Sequence, residues 1–196
     1  MNFSYEPHRR YIFTNDWFDR NINISMKYVS QYVAKLDHAP KILEIGSHEG
    51  KSACWMLDNF CNDEKAVFIC VDPFFKTDST SPVTEQTYDN FKNNISCNPN
   101  ARKVLHYKDL SSNVLKLFSA RADIDIIYID GSHLEEDVYH DLQGSDIILR
   151  PGGLIVMDDV GYSEHGSVAL ALQRFLSSNK NYNVVVKEYQ VILQKQ

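Results

Sequence analysis

Apolar residues along this chain fall into short continuous runs separated by longer stretches at mixed spacing. The runs occupy 41–46, 66–72, 103–107, 124–130, 153–158, 183–189 and 191–194. All but the last pair are separated by enough residues for a helix, so the pattern reads as a βαβ series with a mostly parallel sheet. The last two runs are almost contiguous, whereas parallel neighbours need a dozen or more intervening residues. They predict a hairpin or a bent strand, and with it an antiparallel last strand. Before Pro40, Trp17 and Phe18 are followed by Ile22, Ile24, Met26, Tyr28, Val29, Tyr32 and Val33, the later part at helical spacing.

Punctuation between the runs places some corners. Ser132-His133-Leu134-Glu135 has the S-x-x-E form of a capping box and predicts a helix from about His133 toward Leu149, ended by Pro151-Gly152-Gly153. Ser81-Pro82 predicts another helix start. The polar stretch Lys76-Thr77-Asp78-Ser79-Thr80 just before it is the candidate for a mobile loop over a site. No internal repeat, low-complexity tract or Pro/Gly-rich linker divides the chain.

Composition narrows the class. At 196 residues and 43% apolar the chain suits one domain with a substantial core. Twenty Lys and Arg against 26 Asp and Glu give a net charge of −6, with no basic run to serve as a footprint on nucleic acid. The four cysteines form no CxxC pair, the start lacks the pattern of a secretory signal, and no run approaches a membrane span. The expectation is a cytoplasmic protein with reduced thiols and no nucleic-acid or membrane partner.

The candidate chemistry lies where strands should emerge. The run Ile42-Leu43-Glu44-Ile45 ends in Gly46-Ser47-His48-Glu49-Gly50-Lys51-Ser52, a glycine turn opening a helix. Asp72, Asp130 and Asp158-Asp159 close later runs, and ligands of open parallel sheets bind at these carboxyl ends. A dinucleotide site favours G-x-G-x-x-G around its pyrophosphate. Here the spacing is Gly46-x-x-x-Gly50 with Glu44 and Glu49 beside it, acids that would repel pyrophosphate and attract a cationic ligand such as S-adenosylmethionine. Asp72 is placed to accept hydrogen bonds from ribose hydroxyls of either cofactor.

These segments, together with Val71-Asp72-Pro73, Ile127 to His133 and Leu149 to Asp159, resemble the class I S-adenosylmethionine-dependent methyltransferases. More narrowly they are similar to the macrocin-type and catechol-type metal-dependent O-methyltransferases. The resemblance covers about 40–195. It implies an α/β fold, a Rossmann-like three-layer sandwich whose seven-stranded, mostly parallel sheet has an antiparallel last strand, in agreement with the hairpin. It implies a methyltransferase domain over 40–196, and residues 1–39 form a helical extension, a possible lid or acceptor-site wall. Glu44, Gly46, Ser47 and Gly50 match the first cofactor loop, with Ser52 on the helix beyond it. Asp72 matches the ribose acid, while Asp109 and Ser111 fall near the adenine position. Asp130, also a cofactor-side residue, matches a metal position together with Asp158 and Asp159.

A metal also has a direct rationale. Carboxylates at the ends of neighbouring strands, roughly 4.8 Å apart, can converge on one hard cation such as Mg²⁺. Asp158 and Asp159 can both serve only if the chain has left the strand there, because successive strand residues face opposite ways. The expected reaction is O-methylation of a small hydroxylated acceptor such as a sugar, glycoside or phenolic. Asp130 and His133 are its catalytic candidates, His133 as base, with His165 a second candidate base.

Plainer readings stand beside these. The glycine loop is compatible with a simple turn, Asp159 with a cap, Asp130 with a turn or cofactor contact, and His133 with an exposed first-turn residue. Cys54 and Cys61 suit core packing. Trp17 and Phe18 suit packing on the sheet, a pocket wall or a homodimer interface. A non-catalytic binding module and a nicotinamide-dinucleotide dehydrogenase are the alternative functions.

Overall fold

The computed structural model describes residues 11–76, 82–118, 123–161 and 166–196. Seven strands form one sheet in the order β3-β2-β1-β4-β5-β7-β6. They are β1 Lys41–Ile45, β2 Val67–Val71, β3 Val104–Tyr107, β4 Ile124–Ile129, β5 Leu149–Met157, β6 Tyr182–Lys187 and β7 Val191–Lys195. The first five pair in parallel, while β7 inserts antiparallel between β5 and β6. The near-contiguous final runs thus form the expected hairpin.

Six helices among the described residues cover the sheet: α1 Ser25–Val33, α2 Lys51–Phe60, α3 Thr87–Cys97, α4 Ser111–Phe118, α5 Glu135–Ile148 and α6 Gly166–Ser178. Alternation along each parallel strand sends its apolar residues into two cores. On one face, Ile42, Phe68, Tyr128 and Val156 pack with residues of α1, α2 and α3. On the other, Leu43, Ile69, Ile127 and Ile155 pack with α4, α5 and α6. Cys54 and Cys61 are both buried, in keeping with core packing.

The local starts differ from the sequence expectation. The Ser132–Glu135 capping box does not form: α5 begins at Glu135, and Ser132 Oγ accepts from Leu134 N and donates to Asp137 Oδ2 instead. The serine therefore turns the chain before the helix, with Asp137 as its carboxylate partner. Pro151-Gly152-Gly153 lies within β5, which follows α5 directly. Helix α3 begins only at Thr87, well after Pro82, while Ser81 and the 77–80 part of the candidate loop lie outside the described residues.

The ladder continues one residue beyond each central strand. Asp72 N donates to Tyr107 O at 3.2 Å, Asp130 N to Ile45 O at 2.9 Å and Asp158 N to Ile129 O at 2.9 Å. These bonds hold the acids in a row at the carboxyl ends of the strands. At the opposite end, the fully buried carboxylate of Asp125 is occupied by Lys41 N, His38 Nε2 and Arg150 Nη1 at 2.8–2.9 Å. No helix among the described residues is long and apolar enough to cross a membrane.

Candidate active site

The glycine turn owes its shape to close backbone packing. Gly46 has φ +89°, and a Cβ there would lie 2.0 Å from the carbonyl oxygen of Asp130. Only glycine lets the end of β1 cross so close to the end of β4. Gly50, at φ +77°, begins α2, whose Ser52 donates to Glu44 Oε1 from beneath the loop. Glu44 is completely buried, and burial pushes its pKa up to about 7. Its Oε2 and the buried Ser47 Oγ make no bond of hydrogen-bond geometry, although the hydroxyl is near enough to ease ionisation of the acid. His48 Nε2 is another buried polar atom without a partner. Burial lowers the pKa of His48, whose ring lies 5.8 Å from Trp17.

Above the loop opens a cavity of about 670 Å³ along the strand ends. Gly46, Asp72, Ser111, Asp130, His133, Asp158 and Asp159, all sequence candidates, line it. Glu44, Ser47, Gly50 and Ser52 are its support rather than its wall, and Asp109 is absent from the lining. Asp72 Oδ2 accepts from His48 N at 2.8 Å and Oδ1 from Phe74 N at 2.7 Å, so this acid also fixes the two loops around it. Burial raises its pKa, and the two backbone donors offset part of that rise.

Asp158 and Asp159 have different surroundings. Asp158 continues the alternation of β5 toward the face of Tyr128, whose hydroxyl donates to Oδ2 at 2.7 Å while Asn21 Nδ2 donates at 3.0 Å. Its Oδ1 accepts from Asp159 N at 2.8 Å. Asp159 has left the strand at φ +57° and turns its carboxylate toward His133, with Oδ2 at 2.8 Å from Nε2. The Tyr189 hydroxyl donates to its other oxygen. The ligand atoms of Asp130, His133 and Asp159 all lie within 4.8 Å of one another. The expected trio of Asp130, Asp158 and Asp159 is thus not the set that converges; His133 stands where Asp158 was expected. Burial, then the Asp158 and Asp159 charges, drives the pKa of Asp130 well above the ordinary carboxylate range.

Two further candidates turn elsewhere. Asp109 is exposed, and its Oδ1 accepts from Leu110 N and Asn113 Nδ2 at 2.7 and 2.9 Å, which ties down the loop just before α4. Glu49 faces away from the cavity: Oε2 accepts from Thr14 N at 2.6 Å and Oγ1 at 3.0 Å, while Oε1 accepts from Asn90 Nδ2 at 2.8 Å. Glu49, expected from the sequence to face the ligand, is therefore not among the charges of the cavity. His165 lies outside the described residues.

The N-terminal segment supplies lining residues that strand-end reasoning missed. A short 3₁₀ helix, Trp17–Asn21, sits beside the cavity. Phe18 anchors it against Trp55 and Tyr128 at ring distances of 5.7 and 6.3 Å, leaving Trp17 and Arg20 toward the opening. The Arg20 guanidinium lies 4.5 Å from the Tyr189 ring centroid. Aromatic residues at 17–18 were one signal; nothing local marked Arg20, His48 or Tyr189, because their neighbours come from distant segments.

Over residues 43–160 the chain matches the family described as methyltransferase domain. No curated protein matches the sequence. Among solved structures, cofactor-bound Rv0187 from MTB is 14% identical with a TM-score of 0.66, covering 96% of this chain and 83% of that one. The O-methyltransferase from Bacillus cereus in complex with SAH is 14% identical with a TM-score of 0.62, covering 94% and 93%. TomG from Streptomyces achromogenes, an O-methyltransferase involved in tomaymycin synthesis and bound to SAM, is 13% identical with a TM-score of 0.63, covering 94% and 91%. These likenesses are of fold alone. The family match runs from the first glycine turn through the end of β5, the stretch that builds the cavity floor, and the chain belongs to the methyltransferase domain family, with the fold of these SAH- and SAM-bound O-methyltransferases.

Proposed function

We propose that the protein is an S-adenosylmethionine-dependent O-methyltransferase of a small hydroxylated acceptor, a sugar, glycoside or phenolic compound. The observation that carries this reading is the charge of the cavity: six aspartates line it against one arginine, Arg20, among the described residues. Such a cleft favours a sulfonium and an ammonium group and disfavours a pyrophosphate. Glu44 and Ser47, behind the wall, support the end of the cleft formed by the glycine turn. Gly46, Gly50 and Ser52 shape this end, Asp72 accepts from the ribose hydroxyls, and Ser111 and Asp130 bound the nucleoside. Family membership sets aside the dehydrogenase reading.

On the acceptor side, Asp159 orients His133. With Nε2–H donated to the carboxylate, Nδ1 is the basic nitrogen of the ring. His133 takes the proton of the acceptor hydroxyl as the oxygen attacks the methyl carbon, and the sulfonium leaves as a neutral thioether. Residues 1–39 act as the acceptor-side extension, with Trp17 and Arg20 at its edge.

A second reading adds a divalent cation, favoured by the convergence of Asp130, His133 and Asp159. Two carboxylates and an imidazole suit Mn²⁺ as well as Mg²⁺. A bound cation would polarise the acceptor oxygens and lower the pKa of the one to be methylated. His133 would then be a ligand through Nε2 instead of the base. Transfer of a labelled methyl group to a panel of hydroxylated compounds, with and without chelator, separates these readings. Turnover that survives chelation supports the base, and turnover lost on chelation and restored by Mn²⁺ or Mg²⁺ supports the cation. Binding of S-adenosylhomocysteine with no transfer across the panel would point to the non-catalytic module.

A further inference from the structure

The arginine in the cavity wall is placed there by a short helix. In a 3₁₀ helix, side chains three residues apart lie over one another, so Trp17–Asn21 has two distinct sides. Phe18 and Asn21 form the buried side, Phe18 against Trp55 and Tyr128 and Asn21 against Asp158. Trp17 and Arg20 form the side that lines the cavity. Asp19, between them, is held by Lys51 Nζ at 2.8 Å. The backbone that carries Arg20 is thus pinned before any acceptor arrives.

Arg20 is held without being neutralised. Its Nε donates to Trp17 O at 3.1 Å, and its guanidinium lies 4.5 Å from the Tyr189 ring centroid. Arg102, Arg150 and Arg174, the other arginines among the described residues, each pair with a carboxylate. Arg20 pairs with no described carboxylate, although Asp158 and Asp159 line the same cavity. Those two acids are turned to other donors: Asp158 to Tyr128, Asn21 and Asp159 N, and Asp159 to Tyr189, with His133 beside it. A guanidinium carries its N–H groups as a rigid planar fork, and the hydrogen bond made here uses only the Nε edge.

Tyr189, in the turn between β6 and β7, links this cation to the reacting end. Arg20 lies over its ring, and its hydroxyl donates to Asp159, whose carboxylate is 2.8 Å from His133 Nε2. We propose that Arg20 seats a carboxylate of the methyl acceptor. The acceptor is then a hydroxylated carboxylic acid, with its acid group against Arg20 and its hydroxyl toward His133. This rests on the O-methyltransferase reading of the cavity and narrows its acceptor class. A planar carboxylate matches two parallel N–H groups of the fork. A phosphate brings more negative charge than one arginine balances in a cleft lined by six aspartates.

The test is calorimetry on the full chain saturated with S-adenosylhomocysteine, using two matched pairs of probes: 3,4-dihydroxybenzoate against 3,4-dihydroxybenzamide, and glucuronate against glucose. The wild type is expected to bind the acid of at least one pair about tenfold or more tightly than its neutral partner, the low end for hydrogen bonds to a charged group. Arg20→Met keeps an unbranched stem and removes the fork. It should bring that pair within about threefold by weakening the acid alone, and leave S-adenosylhomocysteine within about twofold. A wild type that binds neither acid better than its neutral partner, or a variant that keeps the full preference, would overturn the assignment while leaving the cofactor reading intact. A variant whose loss falls on S-adenosylhomocysteine would also overturn it, placing Arg20 at the carboxylate of the cofactor instead. Failure of the wild type to bind S-adenosylhomocysteine would overturn the methyltransferase reading as well.

Discussion

Gly46 and Asp130 are in such close contact that a single methyl group at residue 46 would overlap the Asp130 carbonyl, with 2.0 Å between the atoms. Neither side of that contact is a flexible side chain, and Gly46 also has a left-handed backbone. Gly46→Ala should therefore lower the unfolding free energy by about 4 kcal/mol or more, in the range reserved for gross steric damage. Urea unfolding measures it; an unchanged midpoint would show that the strands can part without cost.

Glu44 gives a pH signature. Its pKa rises from an ordinary 4.5 to about 7 on folding, so the folded chain holds this proton more tightly than the unfolded one. Stability from this group is full below about 4.5 and is lost as pH rises toward 7, a total of about 3 kcal/mol. Glu44→Gln removes the ionisation. The variant should gain on the wild type between pH 5 and pH 8 in thermal melts without ligand, and parallel curves would count against the buried acid.

Asp72 and Asp109 make a contrasting pair. Asp72→Ala removes a cavity acid that also ties down His48 N and Phe74 N, and should weaken S-adenosylhomocysteine by about 10- to 100-fold, the worth of charged hydrogen bonds. Asp109→Ala removes only bonds from Leu110 N and the Asn113 side chain on the exposed side of the loop and should leave that affinity within about twofold. Equal losses of affinity in a calorimetric titration would refute the outward placement of Asp109.

The metal reading can be tested apart from turnover by Mn²⁺ binding followed by electron paramagnetic resonance. His133→Ala and Asp159→Ala should each weaken binding by about tenfold or more, whereas Asp158→Asn should stay within about threefold, because that carboxylate is engaged with Tyr128 and Asn21. Loss with Asp158→Asn and Asp159→Ala but not with His133→Ala would restore the carboxylate trio expected from the sequence.

Strand positions were legible because buried parallel strands read as continuous apolar runs. The strand-end acids were legible for the same reason, as the first polar residues after those runs. What lay hidden depended on turns and on distant partners. The parity of β5 offered a clue to Asp158, since it continues the alternation of Leu154 and Val156 toward the Tyr128 face. Nothing in a local pattern announces that Asp159, a non-glycine residue, adopts φ +57° and swings back to His133. The serine of an apparent capping box accepts from Leu134 N and donates to Asp137 instead of accepting from Glu135 N, the amide it was expected to cap, because α5 starts only at Glu135. Glu49 looked like part of a ligand loop because its partner Thr14 is 35 residues away.

That last pairing gives the glycine turn a second side. Asn94 exchanges two hydrogen bonds with the backbone of Ile12, at 2.7 and 2.8 Å, and also donates to the Glu49 carbonyl at 2.8 Å. The loop that faces the cavity on one side is thus stapled on the other to the start of the N-terminal strap. On the proposed function, remodelling that segment for a different acceptor would tug on the glycine turn, so donor and acceptor specificity would be geared to each other.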